Sequence, residues 1–177
     1  MTLITKTLLI IGGVLLILGV FQKNSNFLNV HTIIIKHIAI FRGNLFQGIA
    51  VFIAPALIAI SIAMSKTITV STINSVVVVL SIFSALFFAE LSALCTLPNS
   101  DKDEKYRQLL KETFNSVLFE ILISIVVLII AFIMLFLDNY ENLIVVKVVS
   151  AIIYYLTIEL ILNELVLIKR IKALFLH

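Results

Sequence analysis

The sequence has few charged residues, one cysteine and no tryptophan, and these shortages exclude several classes of protein. Charged residues make up 13% of the 177 positions, about half the share found in a typical soluble domain. A single cysteine, Cys95, excludes an intrachain disulfide and a paired-cysteine metal site. The net charge is +3, but no basic cluster is interleaved with aromatic residues, so we expect no direct nucleic-acid binding.

The motifs of common hydrolases and nucleotide-binding enzymes are also missing. The chain contains no HExxH, GxSxG or P-loop sequence. Its histidines, His31, His37 and His177, lie outside the predicted spans, which argues against a serine–histidine pair within the membrane. We therefore predict that the chain is not an enzyme and has no catalytic residue, metal site or cofactor.

Long apolar runs make up most of the chain, and hydrophobic residues reach 62%. Such runs suit a bilayer, because a helix satisfies its own backbone polar groups inside hydrocarbon. We predict an all-α fold, a polytopic membrane helical bundle of four to five transmembrane helices plus a cytoplasmic interfacial amphipathic helix at about 27–42. Residues 1–177 form one domain, with spans at about 3–21, 45–64, 73–97, 113–137 and 143–168.

The first apolar run leaves two readings open. Residues 21–23 offer no small-residue cleavage site, which favours a retained span or anchor over a signal peptide. Gly12, Gly13 and Gly19 suggest close packing against another helix. A loosely packed N-terminal anchor explains the same glycines equally well.

The predicted interfacial helix contains two histidines. Apolar residues recur at steps of three and four from Phe27 to Leu45, while His31 and His37 fall on other faces. The two histidines are six residues apart, so a metal site shared between them is improbable. We interpret both as interfacial side chains that face lipid headgroups.

The second and third predicted spans contain residues that favour close contact with other helices. Pro55 removes one helical hydrogen bond and predicts a kink, and the small residues around it permit close helix contact. In the third span a stripe of small and polar residues suits contact with a neighbouring helix. This stripe consists of Asn74, Ser81, Ser84, Ala85, Ser92 and Cys95.

Basic residues predict the orientation. Ten of them fall on one side of the membrane if every run spans, against three on the other side or near it. The positive-inside rule then predicts that the interfacial helix, the segment after the third span and the C-terminus are cytoplasmic, with the N-terminus outside. The ten are Lys23, Lys36, Arg42, Lys102, Lys105, Arg107, Lys111, Lys169, Arg170 and Lys172; the three are Lys6, Lys66 and Lys147.

Three carboxylates lie at similar depth in the last three spans. Glu90, Glu120 and Glu159 fall about 10 to 14 Å inside the cytoplasmic boundary, at about 1.5 Å per helical residue. Two interpretations fit these acids. In the first they form a cation-attracting ring or a proton-sensitive switch, and in the second they are polar helix contacts satisfied by hydroxyls and amides. The nearest candidate partners are Ser116 and Ser124 for Glu120, and Tyr155 and Asn163 for Glu159, with Glu164 close to the surface.

A charged hairpin joins the third and fourth predicted spans. Eight of the twelve residues in 101–112 are charged, and the orientation makes this segment cytoplasmic. We predict that it docks a soluble partner. The docking residues are Asp101, Lys102, Asp103, Glu104, Lys105, Arg107 and Lys111.

The run VLSIFSALFFAELSAL at 79–94 and the sequence LLKETFN at 109–115 complete a recognisable arrangement. Together with the amphipathic helix and the proline-containing span, it resembles the small polytopic membrane subunits of bacterial anti-phage defence systems, the Kiwa membrane component above all. The resemblance is one of architecture over most of the chain. It implies an inner-membrane sensor or effector that forms a homo-oligomer and docks a soluble cytoplasmic partner protein.

Two other functions fit the same sequence. A stand-alone small ion channel or holin-like pore would use the acidic residues to attract cations. A non-conducting membrane scaffold would only bind a partner through the charged hairpin. All three functions require contact with the lipid bilayer.

Overall fold

The computed structural model of the protein describes residues 3–21, 30–41, 45–98, 103–136 and 143–176. Over those ranges the chain is helical and contains no strand, which confirms the all-α prediction. The helices are α1 (Leu3–Phe21), α2 (Val30–Ile40), α3 (Leu45–Gly48), α4 (Ala54–Ser65), α5 (Val70–Cys95), α6 (Glu104–Phe136) and α7 (Leu143–Phe175), with a π-helical turn (Ile49–Ile53) between α3 and α4.

Three of these helices are long and apolar enough to cross a membrane. They are Val70–Cys95, Glu104–Phe136 and Ile144–Phe175. Many of the large apolar side chains on α1, α4 and α5 also point outward, as Ile4, Leu57 and Ile82 do. An apolar surface of this extent suits lipid rather than water. The chain is therefore compatible with a multi-pass membrane protein; the prediction of four to five spans remains a prediction.

Helix α6 lies at the centre of the bundle. Between Ser116 and Val127, ten of its twelve residues are buried. Helices α1, α2, α5 and α7 all pack against it. A helix that is apolar around its whole circumference is expected in such a central position.

A seven-residue spacing relates the buried residues of the three longest helices. On α6 it links Thr113, Glu120 and Val127. The corresponding residues are Ile73, Leu80, Phe87 and Leu94 on α5, and Ile153, Leu160, Leu167 and Leu174 on α7. This spacing keeps one seam of each helix facing its neighbour, as in left-handed helix packing.

The buried face of α5 is therefore apolar, and most of the small and polar stripe predicted from the sequence lies outside it, although Ser84 does contact a neighbouring helix through Ser124 of α6. Ser81, Ser92 and Cys95 are exposed. The hydroxyl groups of Ser81 and Ser92 donate to the carbonyl oxygens four residues earlier, at 2.8 and 3.0 Å. Because a helix can satisfy a serine hydroxyl locally, such residues need no neighbouring helix.

The helix is distorted next to Pro55, where the sequence predicts a kink, and the distortion is a π-helical turn. The π-helical turn comes directly before α4, and the Ala54 N–H donates to the carbonyl oxygen of Ile49 across it. Proline has no N–H to donate and its ring crowds the preceding turn, which explains the local widening. Beyond it, Ala59 and Ala63 are buried one turn apart, and α4 packs against α7.

Only one of the first-run glycines makes a close contact. A side chain at Gly13 would collide with the end of the Ile133 side chain on α6, whereas Gly12 and Gly19 face open space. Close packing is thus confirmed for Gly13 alone. It fixes where α1 crosses the C-terminal half of α6.

Candidate functional site

Three ionisable side chains from three helices meet inside the bundle. His37 comes from α2, Glu120 from α6 and Glu159 from α7, and their exposed fractions are 2%, 0% and 2%. One donor atom of each side chain lies within 4.8 Å of the other two. We call these residues, with Asn163, the buried polar cluster.

The helix packing brings the two carboxylates together. Glu120 lies on the seven-residue seam of α6, between Thr113 and Val127. Glu159 directly precedes Leu160, which lies on the seam of α7. One turn further along α7, the Asn163 amide N–H donates to Glu159 Oε1, as the sequence predicts for this pair. The seams therefore place both acids between α6 and α7.

Aromatic rings hold the His37 imidazole against α6. The ring stacks on Phe119, with centroids 4.0 Å apart, and meets Phe41 edge-on at 5.4 Å. Phe52, from the π-helical turn, makes a second edge contact at 6.3 Å. The turn before Pro55 thus supplies one wall of the cluster.

This position of His37 overturns the interpretation that it faces lipid headgroups. Val30, Ile33, His37 and Phe41 share one buried face of α2, which packs on α6. His31 is exposed, in line with the expected orientation of that residue. The apolar residues that recur at steps of three and four include Ile34 and Ile38, and Ile38 is 49% exposed. The buried face of α2 is therefore rotated relative to the apolar face that the sequence predicts, and it includes His37.

The polar atoms of the cluster lack hydrogen-bond partners among the described residues. They are both ring nitrogens of His37, both carboxyl oxygens of Glu120, Glu159 Oε2 and Asn163 Oδ1. Leaving one buried polar group unsatisfied costs about 1 to 3 kcal/mol, so such groups are rare unless they bind something. Six of the eight buried side-chain atoms without a partner among the described residues belong to this cluster, and the other two are Glu90 Oε2 and Glu164 Oε2.

Neither of the two hydroxyl partners predicted for Glu120, Ser116 and Ser124, hydrogen-bonds to its carboxyl oxygens. The Ser124 hydroxyl donates to the Ile121 carbonyl at 2.8 Å and accepts from Ser84 at 3.1 Å. The interpretation of Glu120 as a polar contact satisfied by Ser124 is therefore wrong. Glu159 does have its predicted amide partner, through one oxygen only.

Glu90 lies outside the cluster and against another acid. Its side chain is half-buried and lies next to Glu164, and one oxygen of each carboxyl group has no hydrogen-bond partner among the described residues. Glu164, expected near the surface, is 6% exposed. The structure thus brings Glu120 and Glu159 together and sets Glu90 beside Glu164, one residue after Asn163.

Most of the predicted docking hairpin is helical. Asp101 and Lys102 lie outside the described residues, and Asp103 accepts the Tyr106 N–H at 2.8 Å as α6 begins. The remaining predicted docking residues are exposed on the first turns of α6; they are Glu104, Lys105, Arg107 and Lys111. The segment is therefore a rigid extension of α6 rather than a loop.

This extension is joined to the end of α7. Arg170 Nη1 lies 3.3 Å from Glu112 Oε2. On the other side of α6, a cavity of about 620 Å³ opens between the end of α5 and residues Arg107 and Lys111. The charged ends of α6 and α7 thus form one surface, which we call the charged end.

The described helices form a bundle, three of them long and apolar enough to cross a membrane, with an unsatisfied polar site in its core. One imidazole, two carboxylates and an amide oxygen are groups that bind metal ions or exchange protons. Comparison with protein-family models, with curated proteins and with solved structures finds no match. The site must therefore be understood from its own geometry.

Proposed function

We propose that this chain is the membrane subunit of a bacterial anti-phage defence system. In this proposal it lies in the inner membrane with its C-terminus in the cytoplasm, forms a homo-oligomer, and acts as a sensor or effector. It docks a soluble cytoplasmic partner through the charged end.

The length of α6 and α7 is the observation that carries the proposal. Each helix has 33 residues, which corresponds to about 50 Å. The hydrocarbon core of a bilayer is about 30 Å thick, so about 20 Å of each helix extends beyond it. Because the two helices are antiparallel neighbours, the start of α6 and the end of α7 extend on the same side.

The distribution of basic residues supports the proposed docking role of the charged end. Lys105, Arg107 and Lys111 are exposed on the start of α6, and Lys169 is exposed near the end of α7. The Arg170–Glu112 ion pair joins the two extensions. A rigid, basic surface next to the membrane supports docking of a partner better than a flexible hairpin would, because less order is lost on binding.

Neutralising the charged end tests the proposal. Cells that carry the complete locus are challenged with phage, and the chain has Lys102, Lys105, Arg107 and Lys111 changed together to Gln. We expect protection to fall to the level of cells without the locus, because the partner no longer docks. Membrane extraction followed by immunoblotting checks that the variant is inserted in normal amount.

A matched control changes basic residues that are predicted to lie on the opposite side. Lys66→Gln combined with Lys147→Gln should leave protection intact. Full protection by the chain expressed without its neighbouring genes would contradict the proposal. So would a quadruple variant that is inserted normally and protects as well as the wild type.

A further inference from the structure

We propose that His37, Glu120 and Glu159 bind a divalent first-row transition metal ion, of the class represented by Zn²⁺ and Mn²⁺. The inference concerns the core of the bundle and does not depend on the proposed function. It accounts for the buried polar atoms of the cluster, for which the described residues offer no hydrogen-bond partner.

The spacing of the donor atoms favours a shared ion. Zn²⁺ binds imidazole nitrogen and carboxylate oxygen at about 2.0 to 2.2 Å, so two ligands of one ion lie about 3 to 4 Å apart. The three side chains offer donor atoms within 4.8 Å of one another, yet no hydrogen bond joins them. Side chains that shared only a proton would approach to hydrogen-bond distance. A small closure of the cluster brings all three onto one ion.

The charge of the site favours a divalent ion. Glu120 and Glu159 carry two negative charges when ionised, and burying them without a counter-ion is costly. One divalent cation cancels both charges and leaves a neutral core, with His37 binding through the lone pair of a neutral ring. A monovalent ion would leave one negative charge in an apolar environment.

The donor types favour a transition metal over magnesium or calcium. Mg²⁺ and Ca²⁺ prefer sites built from oxygen ligands alone. Imidazole together with carboxylate is a mixed set that suits Zn²⁺, Mn²⁺ and Fe²⁺. The unpartnered Asn163 Oδ1 offers a fourth donor from the same side of α7.

The surroundings of the cluster are those of a supported site. The Asn163 amide already donates to Glu159 Oε1, which orients the carboxylate in the way that outer-shell groups orient metal ligands. Phe119, Phe41 and Phe52 pack around the imidazole and restrict its rotation. Because the ligands come from α2, α6 and α7, the ion would join the short α2 to the two long helices.

Metal binding by the purified full-length chain tests the proposal. The protein is stripped with EDTA in mild detergent, dialysed against ZnCl₂ or MnCl₂, and its metal content is measured by mass spectrometry. We expect about one ion per chain and a higher melting temperature, since a ligand that binds the folded state stabilises it. X-ray absorption of the zinc-loaded protein should show imidazole scattering.

Single substitutions then identify the ligands. His37→Ala, Glu120→Gln and Glu159→Gln should each weaken metal binding at least about tenfold. His31→Ala removes an exposed histidine from the same helix, and Glu104→Gln removes an exposed acid from α6; both should bind like the wild type. Size-exclusion chromatography confirms that each variant is folded.

Two results would overturn the proposal. One is a folded wild-type chain that takes up no more Zn²⁺ or Mn²⁺ than the His37→Ala variant. The other is metal-loaded wild type without imidazole scattering, a result that stands even if every cluster variant fails to fold.

Discussion

The two halves of the bundle core both contain α6 and α7, but they differ in how their buried polar atoms are satisfied. The apolar half contains the residues after Ser124 on α6 and before Leu156 on α7. The buried Ser150 hydroxyl in this half has hydrogen-bond partners. Ser150 donates to the Val146 carbonyl at 2.7 Å and accepts the Ile68 N–H at 2.9 Å. In the polar half, His37, Glu120 and Glu159 keep unpartnered atoms among the described residues.

This contrast indicates that one half of the core holds the helices together, whereas the other half contains the candidate functional site. Native cores satisfy nearly all of their buried polar groups, and the exceptions concentrate at functional sites. The apolar half, with Val127, Ala131 and Ile153 fully buried, follows the rule and holds the helices together. Among the described residues, the polar half departs from it mainly around α2 and the facing turns of α6 and α7, and also at the Glu90–Glu164 pair, where each carboxyl group keeps one unpartnered oxygen.

The strongest test of this division places an acid in the apolar half. Val127 is fully buried one heptad after Glu120, on the same seam of α6. We expect Val127→Glu to cost about 2.5 to 3.5 kcal/mol, because the new carboxylate has no partner in hydrocarbon. The yield of monodisperse protein and its melting temperature in detergent measure the loss.

A control separates the charge from the lost packing. Val127→Ala removes only two methyl groups from the same position and should destabilise the chain less than Val127→Glu does. If Val127→Glu melts at the wild-type temperature, the two halves do not differ in their tolerance of acids and the comparison fails.

The reverse substitution in the polar half should stabilise the metal-free chain. Glu120→Leu replaces an unsatisfied carboxylate with an apolar side chain of similar size, so we expect a gain of about 1 to 3 kcal/mol. Thermal melts in the presence of EDTA measure it. Glu104→Leu, at an exposed position of α6, serves as the control and should change little. A Glu120→Leu chain that is less stable than wild type would show that the carboxylate has a structural partner.

The sequence was sufficient for the general architecture. Long uncharged runs predicted the positions of the long helices, and α5 at Val70–Cys95 lies within three residues of its predicted span. Pro55 predicted the local distortion before α4, since the ring and the missing N–H act on the chain's own backbone. These features depend on local chemistry, which one sequence contains.

The partners of the acids depend on helix rotation, and the sequence did not specify it. Depth alone grouped Glu90 with Glu120 and Glu159, whereas the structure sets Glu90 beside Glu164. The seven-residue spacing of Thr113, Glu120 and Val127 was the available signal for the α6 seam. His37 was missed because the apolar residues of α2 fit two overlapping faces, and only packing against Phe119 selects between them.

The smallest expected effect concerns a satisfied polar contact in the core. Ser84 donates to Ser124 across the α5–α6 interface at 3.1 Å. Hydrogen bonds between membrane helices contribute about 0.6 kcal/mol on average, because the unfolded chain also finds partners. Ser124→Ala should therefore lower stability by about that amount, and Ser84→Ala should add nothing further in the double variant. A double-variant cycle measured by melting in detergent gives the coupling. If the coupling instead matches the effect of Glu120→Leu in size, satisfied and unsatisfied polar groups contribute alike, and the distinction between the two halves of the core loses its energetic basis.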